Sequence, residues 1–229
     1  MNERDDQILN HVGLYQLALR RVIDDQFFDG GNSGNVLQRL VRNNQLQSRD
    51  GLPGRLRYYQ LTRTEAKRLG LPESRARALQ NKALHTALAV LWFCTMSEAN
   101  RHRLEQHEVD RLFPDSASPT AIHCIERSAD SHRLIRMKVS DPDSNDRTVL
   151  RSLRKTVFET MDMPGLRPWV GTGRYCFAIL TETATRVERI RQIIDTDQEL
   201  SESATFIVEQ APGVRTLKQA LNDRRSRKH

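Results

Sequence analysis

Apolar residues recur at three- and four-residue spacing through the first third of the chain. Ile8, Leu9 and Val12 fall on one face of a helix that Asp5 or Asp6 can cap and that Gly13 ends or bends. Leu19, Val22, Ile23 and Phe27 make a second stripe, predicting a helix over 17–28. Asp29-Gly30-Gly31-Asn32-Ser33 reads as a turn, and Asn32 or Ser33 can cap a third helix over 33–44. That helix turns Val36, Leu37, Leu40 and Val41 inward. Residues 46–48 read as a strand, 49–54 as a Gly/Pro turn, and 55–61 as a second strand. Thr62 with Glu65 has the spacing of a capping box for a fourth helix that ends near Gly70.

Pro72 opens a long predicted helix over 72–96. Its second half, with Leu84, Ala87, Leu88, Val90, Leu91, Trp92 and Phe93, is apolar almost all round. It must be buried, either between two domains or against a second copy of the chain. A short helix follows over 105–112. Beyond Phe113 the pattern predicts strands over 121–126 and 133–139, a helix over 147–160, and a loop over 164–173 carrying Trp169. A strand over 174–180, a helix over 185–194, a strand over 204–208 and a terminal helix from Leu217 complete it. The whole is an α+β chain, with β-β-α-β-α-β building a small mixed sheet with packed helices in the second half. The expected divisions are 1–71, a helical linker or dimerisation region over 72–113, 114–214, and a basic tail over 215–229.

Composition narrows this picture. At 38% hydrophobic and 28% charged residues, the 229-residue chain is too apolar for disorder and too charged for a membrane protein. The run from Leu88 to Met96 is far short of the ~20 residues that a span requires. The polar N-terminus carries no signal-like apolar segment. Cys94, Cys124 and Cys176 are odd in number and widely spaced, so a cytoplasmic, reduced chain is expected, with the cysteines as small buried hydrophobes. His102 and His107 do not share a helical face, and no metal site, Gly-rich phosphate loop or cofactor motif is read.

The net charge of +7 is unevenly placed. Residues 1–32 carry 3 basic and 6 acidic side chains, 33–68 carry 8 and 2, 69–214 carry 19 and 20, and 215–229 carry 6 and 1. All the excess sits in two short segments, which suggests contact with a polyanion. The first of them covers the third helix and the hairpin. Helix, helix, helix, hairpin is the order of a winged helix-turn-helix. Asn35, Gln38, Arg39 and Arg42 on the outer helix face carry the groups that read base edges in a major groove. Arg49, Arg55 and Arg57 on the wing suit phosphates. The expected partner is duplex DNA, bound by a homodimer, with no membrane; a winged helix used only for protein contacts is the other reading. In the second half, Arg147, Arg151, Arg154 and Lys155 form a helical stripe. With Arg136 and Lys138 of a strand they could form a second phosphate surface, or instead pair with Asp141, Asp143, Asp146 and Glu159.

The run Tyr58-Tyr59-Gln60-Leu61-Thr62, followed by Glu65-Ala66 and Leu69-Gly70, resembles the wing and following helix of the bacterial replication-relaxation proteins. Ala83-Leu84-His85-Thr86-Ala87-Leu88-Ala89 resembles their histidine-bearing helix, and Glu65 stands where they often have glycine. The resemblance covers about residues 5–95 and implies plasmid, mobile-element or regulatory DNA binding. The second half is similar to the sheet of the PD-(D/E)xK nucleases, with Phe113-Pro114-Asp115 and Ile135-Arg136-Met137-Lys138 in the places of that superfamily's motifs. Arg136 replaces the acid, and Asp141 and Glu126 lack its spacing. The resemblance therefore implies a catalytically silent domain, since a nuclease holds its metal with two or three carboxylates. An unrelated α+β dimerisation domain, a metal-dependent nuclease with an unusual acid set, and a protein-interaction module are the alternatives.

Overall fold

The computed structural model describes residues 2–114, 121–129 and 131–227, with side chains as far as Arg224. The fold is mixed α and β. It divides into two compact units, 1–91 with 213–229, and 92–212.

The first unit opens with α1 (Glu3–Tyr15), capped by Asn2, whose side chain accepts from the Arg4 amide at 3.3 Å. Asp5 and Asp6 lie inside the first turn instead of capping it, where they face the positive end of the helix dipole. Gly13 does not end the helix. A Cβ there would sit 2.6 Å from Leu71 Cδ1, so glycine lets the Leu71 side chain pack close against α1. Gln16, with φ of 66°, makes the break. The second predicted helix therefore starts late: Ala18–Leu19 is β1, and α2 is Arg20–Phe27. α3 (Gly34–Arg42) buries Leu37 and Leu40 completely. β2 (Leu46–Arg49) and β3 (Tyr58–Leu61) form the hairpin, and β1 pairs with the other edge of β3. β3 is shorter than expected because Pro53–Arg55 winds into a 3-10 turn. Thr62 caps α4 (Arg63–Arg68), its hydroxyl accepting from the Glu65 amide at 3.2 Å. Ile8, Leu9, Val12, Ile23, Leu37, Leu40, Leu46 and Leu61 form one apolar core.

The long helix expected over 72–96 is broken. Glu73–Ala76 is a 3-10 turn, Arg77 is extended, and α5 (Asn81–Thr95) starts at Asn81. The break has a tertiary cause. Gln47 Nε2 donates to the carbonyls of Leu61 and Ala76 at 2.8 and 2.9 Å, and Gln60 Nε2 donates to those of Gln16 and Arg77 at 3.0 and 3.2 Å. The carbonyls of Ala76 and Arg77, captured this way, hold the end of the 3-10 turn and the extended residue after it against the hairpin. The apolar second half of α5 is buried within the single chain.

The second unit is a five-stranded sheet of order β4-β5-β6-β7-β8: β4 (Asn100–Leu104), β5 (Ile122–Arg127), β6 (His132–Val139), β7 (Tyr175–Thr181) and β8 (Thr205–Gln210). The first three strands are antiparallel and the last three run parallel. α6 (Gln106–Leu112) follows β4. α7 (Asp146–Met161) and α9 (Ala184–Thr196) make the parallel connections, with α8 (Arg167–Gly171) inside the predicted loop and α10 (Gln198–Ser203) before β8. The core joins Leu134, Leu153, Val157, Tyr175, Phe177, Ile179 and Ile190. All three cysteines are buried and free. Among the described residues, no helix is long and apolar enough to cross a membrane.

β4 was not predicted, because its inward residue is Arg101. Buried to 9% exposure, Arg101 meets Glu126 at 2.8 Å and Glu209 at 2.7 Å and stacks 3.8 Å from the Phe93 ring centroid. A cation stands where the pattern seeks an apolar residue, and its counter-charges come from two distant strands. Finally α11 (Leu217–Arg227) returns to the first unit and packs on the 3-10 turn of the hairpin. An added Cβ on Gly54 would lie 2.7 Å from Lys218 Cδ.

Arg101→Met is expected to lower stability by about 3 kcal/mol, because two carboxylates lose their cation. Adding Glu126→Gln and Glu209→Gln should restore part of the loss. An unchanged urea midpoint for the single variant would remove Arg101 from the organising role given to it.

Candidate nucleic-acid interface

The first unit holds 20 Lys and Arg against 10 Asp and Glu, a formal charge of +10; the second holds 16 against 19, or −3. Folding thus gathers the two basic segments, far apart in sequence, into one body.

On α3, Asn35, Gln38, Arg39 and Arg42 are all exposed, opposite buried Leu37 and Leu40. They do not stand alike. Arg39 Nη2 donates to both oxygens of buried Asp5 at 2.6 and 2.8 Å, which ties α3 to α1 and commits much of the guanidinium. Arg42 has no charge partner among the described residues. On the hairpin, Arg55 is exposed at a φ of 62°, and Arg57 meets Asp50 at 3.0 Å. Both partners of that pair are well exposed, so it contributes at most about 1 kcal/mol and a phosphate can replace it. Arg49 is half-buried; its Nη2 donates to Gln47 Oε1 at 2.7 Å while its buried Nε has no partner. Tyr58, beside it, has its phenol pushed up by burial, with the Arg49 charge opposing.

Arg49 also lines a cavity of about 430 Å³ between β2, the start of α4 and the 76–78 segment. Arg63 and Arg77 line it too, as do Asn44, Gln47 and Thr64. The sequence reading missed Arg63 and Arg77 as a pair. Arg63 looked like one turn of a capped helix, and Arg77 was assigned to the interior of a long one. Only the glutamine clamps on Ala76 and Arg77 bring Arg77 beside the hairpin. Three guanidiniums around one recess suit a phosphate, which accepts several charge-assisted hydrogen bonds at once.

In the second unit, the six basic residues read as one phosphate surface separate into two groups. Arg147, Arg151, Arg154 and Lys155 are exposed on α7; Arg154 pairs with Asp197, and Lys155 with Glu159 at 3.6 Å. Arg136 and Lys138 lie half-buried between the sheet and α7, lining a cavity that none of those four lines. Glu126 is excluded from their side of the sheet. His123 is the cross-strand partner of Arg136, so Glu126, three residues on, faces the opposite way. Asp115 lies outside the described residues, and Asp141 sits in the loop before α7, where its carboxylate accepts from the Asp143 amide. Among the described residues, no three His, Cys, Asp or Glu side chains cluster as metal ligands.

Behind Arg136 lies a buried polar row. His123 Nε2 and the Tyr175 hydroxyl are 2.9 Å apart, and Arg136, whose charge acts on both rings, donates to Thr160 Oγ1 at 3.1 Å. Burial, reinforced by the Arg136 charge, pushes His123 down to about 4. Burial pushes Tyr175 up to about 12 despite Arg136. Both rings are therefore neutral at pH 7.

No protein-family model matches the chain, and no match was found among curated proteins or solved structures. The interface rests on its own geometry.

His123 gives the second unit a pH signature. Its folded pKa of about 4 lies below the ordinary 6.5, so between these values the unfolded chain binds more protons. The contribution is intact above pH 6.5 and is expected to fall by about 3 kcal/mol as the pH drops to about 4. Urea titrations across this window should show the slope, and His123→Asn should flatten it. An equal slope in the variant would assign it to other groups.

Proposed function

We propose that the first unit is a winged helix of the replication-relaxation kind that binds duplex DNA, and that the second unit is a nuclease-like fold without catalysis. The observation that carries this reading is the gathering of both basic segments into one unit of +10, on an order of helices and hairpin that leaves α3 exposed. α3 would lie in the major groove, with Asn35 and Gln38 on base edges and Arg42 reaching bases or phosphate. Arg55 and Arg57 would contact the backbone from the hairpin. Arg49, Arg63 and Arg77 would hold a further phosphate in the recess beside β2. Arg39 would act largely by fixing the angle of α3 through Asp5. For the second unit, the placement of Glu126 on the opposite face from Arg136 and Lys138 supports a silent domain.

Gel-shift or fluorescence titrations over a range of salt test the reading. Binding should weaken as salt rises, with log K falling by about 0.9 for each phosphate neutralised. Replacing Arg63 and Arg77 by Ala should release the one phosphate of the recess, reduce that slope by about 0.9 and weaken all sequences alike, whereas Asn35→Ala with Gln38→Ala should change sequence preference and leave the slope. Salt-independent binding, or binding unchanged when Arg39, Arg42, Arg55 and Arg57 become Ala together, would count against the DNA reading. Nicking of supercoiled DNA in Mg²⁺ or Mn²⁺ would count against the silent domain.

A further inference from the structure

Among the described residues, the second unit holds a positive recess with no counter-charge. Arg136 and Lys138 are two residues apart on β6 and project from the same face of the sheet toward α7. Lys138 bonds Ser152 Oγ, and Arg136 bonds Thr160 Oγ1, so every hydrogen-bond partner shown for the two cations is neutral. The acids of the surrounding elements are engaged elsewhere: Asp146 with Arg186 and Arg189, Glu126 with Arg101, Glu159 with Lys155, Asp197 with Arg154. Two half-buried cations that repel each other are costly to keep. The Lys138 ammonium is held below its ordinary range, first by burial and then by Arg136.

The cavity they face is about 140 Å³, with Ala121 at one edge and Leu153, Thr156 and Phe177 along its walls. At roughly 30 Å³ for each water, it has room for one tetrahedral oxyanion and some solvent, not for a nucleobase and sugar. The Ser152 hydroxyl accepts from Lys138, which leaves its proton to donate. Arg136 is braced by Thr160 Oγ1, which fixes where its guanidinium points.

We propose that Arg136 and Lys138 of β6, with Ser152 of α7, form a binding site for a single phosphate group, the rest of the ligand lying outside the recess. A bound dianion supplies the missing counter-charge, and the hydroxyl and guanidinium supply directed donors. The phosphate comes from a free small molecule or from a nucleic-acid backbone, and the experiment distinguishes them.

The full chain is acylated with a limiting lysine reagent and the modified sites are read by mass spectrometry, at constant ionic strength set with NaCl. Three probes are compared: inorganic phosphate, a deoxynucleoside 5′-monophosphate and a duplex oligonucleotide. Modification of Lys138 is expected to slow roughly tenfold when the effective probe is at ten times its Kd. Lys155, exposed on α7, paired with Glu159 and outside the lining of the recess, serves as the control and should not change. Protection by either of the first two probes identifies a small-molecule phosphate; protection by the duplex alone identifies a backbone phosphate. Arg136→Gln should remove the protection, and Asn35→Ala with Gln38→Ala should leave it, which separates this site from DNA reading by the first unit. Lys138 modification unaffected by all three probes, or Lys155 protected to the same degree, would overturn the proposal.

Discussion

Two glutamines on facing strands hold the first unit in its working shape. Gln47 and Gln60 are direct cross-strand partners, and each donates its amide N–H groups to backbone carbonyls, all but that of Leu61 outside the hairpin. The captured carbonyls belong to Gln16, Leu61, Ala76 and Arg77. One glutamine therefore ties the hairpin to the turn after α1, and both tie it to the chain leaving α4. Such buried amides are costly to leave unpaired, at about 1–3 kcal/mol for each orphaned group. That cost makes the path that leaves the 3-10 turn at Ala76 and is extended at Arg77 the stable alternative to a continued helix. The recess lined by Arg49, Arg63 and Arg77 exists only because of that path.

The same logic recurs in the second unit with charges in place of amides. Arg101 on edge strand β4 binds Glu126 on neighbouring β5 and Glu209 on β8, the other end of the sheet order. Its charge is matched by its partners. That of Arg136 is not matched among the described residues, although both arginines belong to the same sheet. A matched buried cation serves architecture; an unmatched one beside a cavity suits a ligand.

Sequence periodicity showed α3 with its two faces, because Leu37 and Leu40 repeat at helical spacing against Asn35, Gln38, Arg39 and Arg42. It showed the central strand β7, because Tyr175 to Leu180 is an unbroken apolar run, and the hairpin, because a Gly/Pro turn separates two short strands. What it could not show was whatever depends on partners far along the chain. β4 carries its burial on an arginine whose acids are 25 and 108 residues away. The helix expected from Pro72 is interrupted by side chains from positions 47 and 60. Of the candidate site residues, exposure of the α3 face was readable locally, but the commitment of Arg39 to Asp5 was not. Nor was the arrival of Arg77 next to Arg49. The buried row of His123, Tyr175 and Arg136 has no local signal either, since it runs across three strands.

The return of α11 to the hairpin makes the second unit an insertion within the first. On the ribosome, α1 through most of α5 emerge early, yet the helix that covers Gly54 is made only after the entire five-stranded sheet. A domain usually folds once its own residues have emerged. Here the inserted sheet can finish first, and the unit that begins the chain is the last to be completed.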